Sequence, residues 1–178
     1  DWNDLDFGSW SSSTFYDNNV AISNLLGYDR NNYCNIFIAP FSNPLGFAYL
    51  PPTNYGVYVG TNYFGVTNIG NFDLNRTLVH ELGHYCGLFH TFYFTSSCGP
   101  ETNCVAQGDR VCDTPPTTGT VGCTPLSCLE TLVENFMDYS NDDCMNSFTQ
   151  GQTLRMLSRL ETLRPGVVNN TLACGAID

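Results

Sequence analysis

Lysine is absent from this 178-residue chain, and six arginines face seventeen acidic residues for a formal charge of −11. Nucleic acids and anionic membrane surfaces select the opposite balance, so both are excluded as partners. No apolar run approaches 18 residues, which excludes insertion as a transmembrane helix. Charged residues of either sign make up only 13% of the chain, and histidine occurs three times. Apolar residues are plentiful at 42%, enough for a sizeable core, and the length suits one domain with two subdomains sharing a cleft. The chain opens Asp1-Trp2-Asn3-Asp4, without an initiator methionine or a signal peptide, and reads as a mature, processed or trimmed product.

Cysteine is the abundant exception. Nine in a chain of this size point to an oxidising compartment, hence to a secreted, extracellular protein. The triplets Asn75-Arg76-Thr77 and Asn169-Asn170-Thr171 fit that route. Cys98, Cys104, Cys112, Cys123, Cys128 and Cys144 are candidates for a second zinc site or for disulfides. Their spacing, without a C-x₂-C pair across the set, favours disulfides. Nine is odd, so one thiol is expected to be free or bonded to another chain, and the pairing of Cys34, Cys86, Cys104, Cys112 and Cys174 is left open by the spacing.

Strands are expected over 35–39, 46–50 and 57–59, each bounded by Pro or Gly. A short helix is expected over 20–26. A second, over 73–87, carries Leu74, Leu78, Leu82 and Tyr85 at helical spacing behind Asp73 as N-cap. Residues 91–130, rich in Cys, Pro, Gly and Thr, read as a long irregular loop. A last helix is expected over 149–164, with Leu154, Leu157, Leu160 and Leu163 on its apolar face and Pro165-Gly166 as its stop. The order of elements predicts an α+β fold, divided near residue 90 into subdomains 1–90 and 91–178.

All three histidines fall in His80-Glu81-Leu82-Gly83-His84-Tyr85-Cys86-Gly87-Leu88-Phe89-His90. On a helix, positions 80 and 84 share one face. A continued helix would keep His90 out of reach of that pair, but Gly87 tolerates a positive φ and can end the helix and turn the chain back. Three imidazoles then occupy three corners of a tetrahedron and leave the fourth open, the arrangement of a catalytic zinc. Glu81 neighbours the first ligand and can serve the water without binding the metal. Cys86 lies about 200° around the helix from His84 and points away.

The pattern resembles that of the metzincin metalloproteases, in which HExxHxxGxxH is followed by a methionine turn. A candidate turn is Asn135-Phe136-Met137-Asp138-Tyr139-Ser140. Taken alone, Met137 is as readily a core gap-filler. With His90-Thr91-Phe92, Gly108-Asp109, Asp113-Thr114-Pro115-Pro116, Gly122-Cys123, Cys144-Met145 and Phe148-Thr149-Gln150-Gly151-Gln152, the chain resembles the pappalysin (cytophagalysin) branch from about residue 33 to 164. The resemblance implies a twisted mixed sheet with an active-site helix, and an irregular disulfide-held part with the methionine turn and a C-terminal helix. It implies bridges Cys98–Cys128 and Cys123–Cys144; Cys104–Cys112 is a local addition outside the family pattern. Met137 is carried over as the turn beneath the zinc, Tyr139 as a transition-state hydrogen-bond donor, and Gly46, Phe47 and Ala48 as the cleft-edge strand that pairs with substrate. Calcium near Glu101, Asp109 and Asp113 is implied as well, against the reading of a solvated acidic loop. Family domains carry further strands before the segment matching 35–39, so that part is expected from a trimmed region, a propeptide or another chain.

The function implied is a secreted zinc endopeptidase acting on protein or peptide substrates, with Glu81 as general base. A zinc-binding but inactive adhesion or assembly module, or a fragment needing a partner chain, is the alternative. Asp142, five residues beyond Met137, matches the position at which relatives that cleave before Arg or Lys carry a carboxylate. The competing reading is that Asp142 points to solvent while Asp143 caps the turn.

Overall fold

The computed structural model describes residues 12–41, 43–68, 70–94 and 98–170, with the side chains of 12–17 left aside; Cys174 lies outside the described residues. Helix α1 (Ser12–Leu26) leads into strands β1 (Ile36–Ala39), β2 (Gly46–Ala48) and β3 (Val57–Gly60), and then into a 3-10 turn, Thr61–Tyr63. Helix α2 (Arg76–Tyr85) follows. A long loop then holds the two-stranded hairpin of β4 (Thr120–Val121) and β5 (Thr124–Pro125), before α3 (Gln150–Leu163) and the short α4 (Pro165–Val168). The α+β class follows directly from this order.

The sheet runs β1-β3-β2, with β1 parallel and β2 antiparallel to β3. All four residues of β3 are buried, as a central strand covered on both faces requires. On one face Tyr58 lies between the stacked rings of Phe37 and Phe47, with centroids 4.9 and 4.5 Å away, and α1 covers them with Ile22 and Leu26. The Tyr58 hydroxyl donates to the Asn19 carbonyl at 2.7 Å, and the Tyr49 hydroxyl donates to Asn19 Oδ1 at 2.7 Å, so both phenols of that layer are satisfied. On the other face Val57 and Val59 meet Leu78, Leu82 and Tyr85 of α2. Because α2 lies over β2 and β3, Ile36 and Ile38 of β1, level with Val57 and Val59, stay exposed at 42% and 45%.

Two expectations are corrected. Asp73 does not cap α2: the N-cap is Asn75, left-handed with φ 65° and without a side-chain cap bond. The orphan amides are served from 66–68 residues away, where Asp142 Oδ2 accepts from Leu74 N at 2.8 Å and Arg76 N at 3.2 Å. Leu74 lies before the helix and is exposed. Only part of the α3 leucine row faces inward: Leu160 packs against the Val57, Val59 and Tyr85 cluster, whereas Leu154 and Leu157 are 60% and 52% exposed. A spacing of three turns each leucine back by about 60°, so four of them spiral around half the cylinder. Beside Leu160, the inward side carries Gln152, Arg155 and Arg159, at i, i+3 and i+7. Arg155 Nε donates to the Gly87 carbonyl at 2.9 Å, and the Arg159 stem packs on Gly87.

Three disulfides staple the loop: Cys98–Cys128, Cys104–Cys112 and Cys123–Cys144. Cys34 and Cys86 are free thiols, and both pack against the Val57, Val59 and Tyr85 cluster.

Arg164 closes the molecule. It is 3% exposed and donates to the carbonyls of Tyr85 (3.1 Å), Tyr49 (3.3 Å) and Thr53 (2.6 Å). Its guanidinium also sits 3.7 Å from the Tyr85 ring centroid. Arg164→Ala strands three carbonyls and removes the cation from the ring, and we expect it to destabilise the fold by about 3 kcal/mol. Thermal unfolding checks this: a melting point within about 2 °C of the parent contradicts the assignment.

Candidate metal centre

Helix α2 presents His80 and His84 on the side facing the loop. It stops where Gly87, with φ 97°, donates its N–H to the His84 carbonyl at 2.8 Å. The chain then doubles back and carries His90 towards the pair. His90 Nε2 lies 3.1 Å from His80 Nε2 and 2.9 Å from His84 Nε2. Three nitrogens on a tetrahedral zinc with bonds of about 2.05 Å stand about 3.3 Å apart, so the donor set fits that ion.

In His80 and His84 the two ring nitrogens have divided roles. His80 Nδ1 donates to the Phe136 carbonyl at 2.6 Å, and His84 Nδ1 donates to the Leu88 carbonyl at 2.8 Å. A carbonyl only accepts, so these Nδ1 atoms carry the hydrogen and the Nε2 lone pairs point forward. Burial and the neighbouring rings push His80 well below the usual imidazole range. Burial lowers His84, and burial with His84 beside it lowers His90 to about 3. The three imidazoles are therefore neutral, as ligands must be.

Glu81 is 6% exposed, and its Oε2 has no partner. Burial pushes its carboxyl up to about 8. Gly46 lies directly against it: a Cβ there would stand 2.9 Å from Glu81 Cγ and 2.9 Å from the Tyr58 carbonyl. Strand β2 can approach α2 this closely only because position 46 has no side chain. The resulting cleft, of about 560 Å³, has Gly46, Phe47 and Ala48 along one side, Glu81 and the three histidines within it, and Tyr139 and Met145 among its other walls.

The loop supports this from below. Met137 is fully buried, with its sulfur against Gly83 of α2 at a spot where a Cβ would overlap it. The Met137 carbonyl accepts from Thr91 N at 3.1 Å, next to His90. The buried Asp138 accepts from the hydroxyls of Thr91 (3.0 Å) and Thr120 (2.9 Å) and from Tyr139 N (2.7 Å). Tyr139 stands over the site with its ring centroid 4.7 Å from that of His90. Phe92, not singled out from the sequence, stacks on His90 at 4.8 Å and meets Tyr139 edge-on at 4.9 Å. Its place two residues after the third histidine, within His90-Thr91-Phe92, was the available signal.

Other candidates lie apart from the cleft. Asp142 is 1% exposed rather than facing solvent; Oδ2 serves the start of α2, and Oδ1 is buried without a partner. Asp109 accepts from Val111 N and the Thr114 hydroxyl. Asp113 instead accepts from the Thr149 hydroxyl and Gly151 N. Among the described residues, no trio of imidazole, thiol or carboxylate groups within 4.8 Å includes Glu101, Asp109 or Asp113.

Comparison with known proteins assigns the arrangement to a family. The model of the pregnancy-associated plasma protein-A peptidases, family M43, matches residues 16–161. The chain is a member of the pappalysin family. Among this pappalysin's relatives, extracellular metalloprotease 1 of Coccidioides posadasii is 35% identical over 177 residues, covering 89% of this chain and 59% of that protein. An extracellular metalloprotease of Arthroderma otae is 36% identical over 150 residues, covering 74% and 52%. The chain thus spans between half and three-fifths of the length of these relatives. A structure of Tannerella forsythia mature mirolysin with a cleaved peptide superposes with a TM-score of 0.68 at 29% identity, covering 85% of this chain and 63% of that one. Mirolysin bound to a small compound gives the same TM-score at 31% identity, covering 89% and 64%. The metzincin fold of the pappalysin is thereby established.

The buried Glu81 gives a pH test on metal-free protein. Its carboxyl holds a proton in the fold up to about pH 8, which an unfolded chain has released above about 4.5. The unfolded state therefore binds fewer protons in that window, and stability falls as pH rises through it. Glu81→Gln removes this penalty. Without metal the variant is expected to melt at least about 5 °C above the parent at pH 9, and together with it at pH 4. Equal melting points at pH 9 contradict the desolvated state of Glu81.

Proposed function

We propose that this chain is the catalytic unit of an extracellular zinc endopeptidase, and the observation that carries the reading is the orphaned Glu81 oxygen beside three convergent imidazole nitrogens. A structural or adhesive zinc site needs the histidines; it has no use for a buried carboxylate left without a partner. The extracellular assignment is supported by the names of the fungal relatives and by the three disulfides.

His80, His84 and His90 hold the ion, and zinc supplies Lewis-acid polarisation and a water acidified to a pKa of ~7. Substrate enters extended along the edge of β2, pairing its backbone with Gly46–Ala48, which leaves the scissile carbonyl near Glu81. That a mirolysin structure contains a cleaved peptide supports a peptide in this position. Glu81 takes the proton of the attacking water and returns it to the leaving amine. Tyr139 donates its hydroxyl to the oxygen that gains negative charge; burial and the charge of Glu81 hold that hydroxyl protonated. The promirolysin structure among the neighbours supports a propeptide as a further partner. The free outer edge of β1, with Ile36 and Ile38 exposed, offers a place for an added strand.

Asp142 is the candidate for a preference for Arg or Lys after the scissile bond: it is buried and outside the cleft lining, but it lies on the segment whose Ser140 and Met145 line the cleft, and its Oδ1 is an acceptor without a partner.

Glu81→Ala is expected to retain one equivalent of zinc and lose peptide cleavage by ~10³-fold or more; zinc retention with undiminished cleavage removes Glu81 as base, and wild-type protein that binds zinc but cleaves nothing in a mixed peptide library makes it a binding module. In the same library, wild type should prefer Arg or Lys after the scissile bond by roughly ten- to hundredfold, and Asp142→Ala should flatten that preference. An apolar preference, or a profile unchanged in the variant, contradicts the specificity reading.

A further inference from the structure

Two buried side-chain amides outside the cleft lining meet face to face. Asn135 Nδ2 donates to Gln152 Oε1 at 2.8 Å, and Gln152 Nε2 donates to Asn135 Oδ1 at 3.0 Å. Gln152 is fully buried and Asn135 is 1% exposed. Each oxygen takes a second N–H. Gln152 Oε1 accepts from Thr149 N at 2.9 Å inside the capping box of α3, and Asn135 Oδ1 accepts from Met137 N at 2.9 Å. The amide pair thus welds the first turn of α3 to the methionine turn.

Both ends of the weld are anchored. Asp113 grips the start of α3 through the Thr149 hydroxyl and Gly151 N, each at 2.7 Å, and its neighbour Cys112 is bridged to Cys104. At the other end, Asn135 and Met137 flank Phe136, whose carbonyl receives His80 Nδ1. The next carbonyl, that of Met137, receives Thr91 N beside His90. A packed apolar pair could fill the same volume, but it would leave Met137 N and Thr149 N without these acceptors, a cost that a purely space-filling role does not explain.

We infer that Gln152 and Asn135 are positioning residues for the metal: their reciprocal amide bonds fix the position of the Phe136 carbonyl, and through it the tautomer and aim of His80. Groups that orient a ligand from outside the coordination sphere commonly change metal affinity by 10–100-fold when removed. Gln152 would exert that effect without touching metal, ligand or substrate. The inference rests on the reading of His80 as a metal ligand.

Zinc affinity, measured by chelator competition, and the visible spectrum of the cobalt-substituted protein test it in two variants. Gln152→Met removes one amide at similar volume. Asn135→Ser is milder, keeping an oxygen within reach of Met137 N while dropping both bonds to Gln152. Both are expected to weaken zinc binding ~10-fold or more and to shift the cobalt bands, with kcat falling more than KM rises. Ile22→Ala, in the core on the far side of the sheet, serves as the control: it lowers the melting point and leaves zinc affinity and cobalt spectrum as in wild type. If either amide variant loses stability while its zinc affinity stays within twofold of wild type and its cobalt bands do not move, the pair is structural only and the inference is overturned. Wild-type protein that binds neither ion overturns the metal reading itself, and this inference with it.

Discussion

Bringing the Nε2 atoms of His80 and His84 to within about 3 Å of His90 Nε2, with all three imidazoles neutral, is the constraint on which the rest of this molecule turns. The arrangement is costly, since three desolvated rings crowd together where two of the facing nitrogens can only accept. It persists because the other ring nitrogens of His80 and His84 are spent on backbone carbonyls, and because Phe92 stacks on His90. Each of those restraints comes from a different stretch of chain. The helix supplies two rings, the Gly87 turn returns the third, and the loop near Met137 supplies the carbonyl that aims the first.

The part of this legible in the sequence was the part encoded locally. Helix spacing in His80–His84, and a glycine at 87 able to take positive φ, define the donor set without reference to anything distant. Strands bounded by Pro and Gly were legible for the same reason, although only 46–48 of 46–50 pairs. What the sequence could not show was whatever depends on a partner far along the chain. Asp73 stands where an N-cap should, yet the amides of the first turn of α2 are taken by Asp142, whose role no local pattern announces. Of the α3 leucines Leu160 reaches the core, while Leu154 and Leu157 point outward and much of the inward side is polar. An amide and two arginines face inward because what awaits them is backbone carbonyl and aromatic ring, not aliphatic surface.

The same substitution of distant for local support recurs in the core. β3 is buried on both faces and accepts a helix on each, but β1 is covered only on its α1 side. Among the described residues the sheet thus has two outer strands, β2 at the cleft and β1 on the opposite side. Stiffness is concentrated where β2, with Gly46, runs against Glu81, the place where a displacement of one ångström would matter most.

Arg164 bears on the order in which the molecule can assemble. Its guanidinium ties the carbonyls of Tyr49, Thr53 and Tyr85 together from positions 79 to 115 residues later in the chain. During synthesis the sheet and α2 can form early, while the end of α2 and the connection between β2 and β3 wait for a residue made near the close of this stretch. A nascent chain would therefore carry its histidine motif for most of that interval before the C-terminal end of the helix bearing it is tied down.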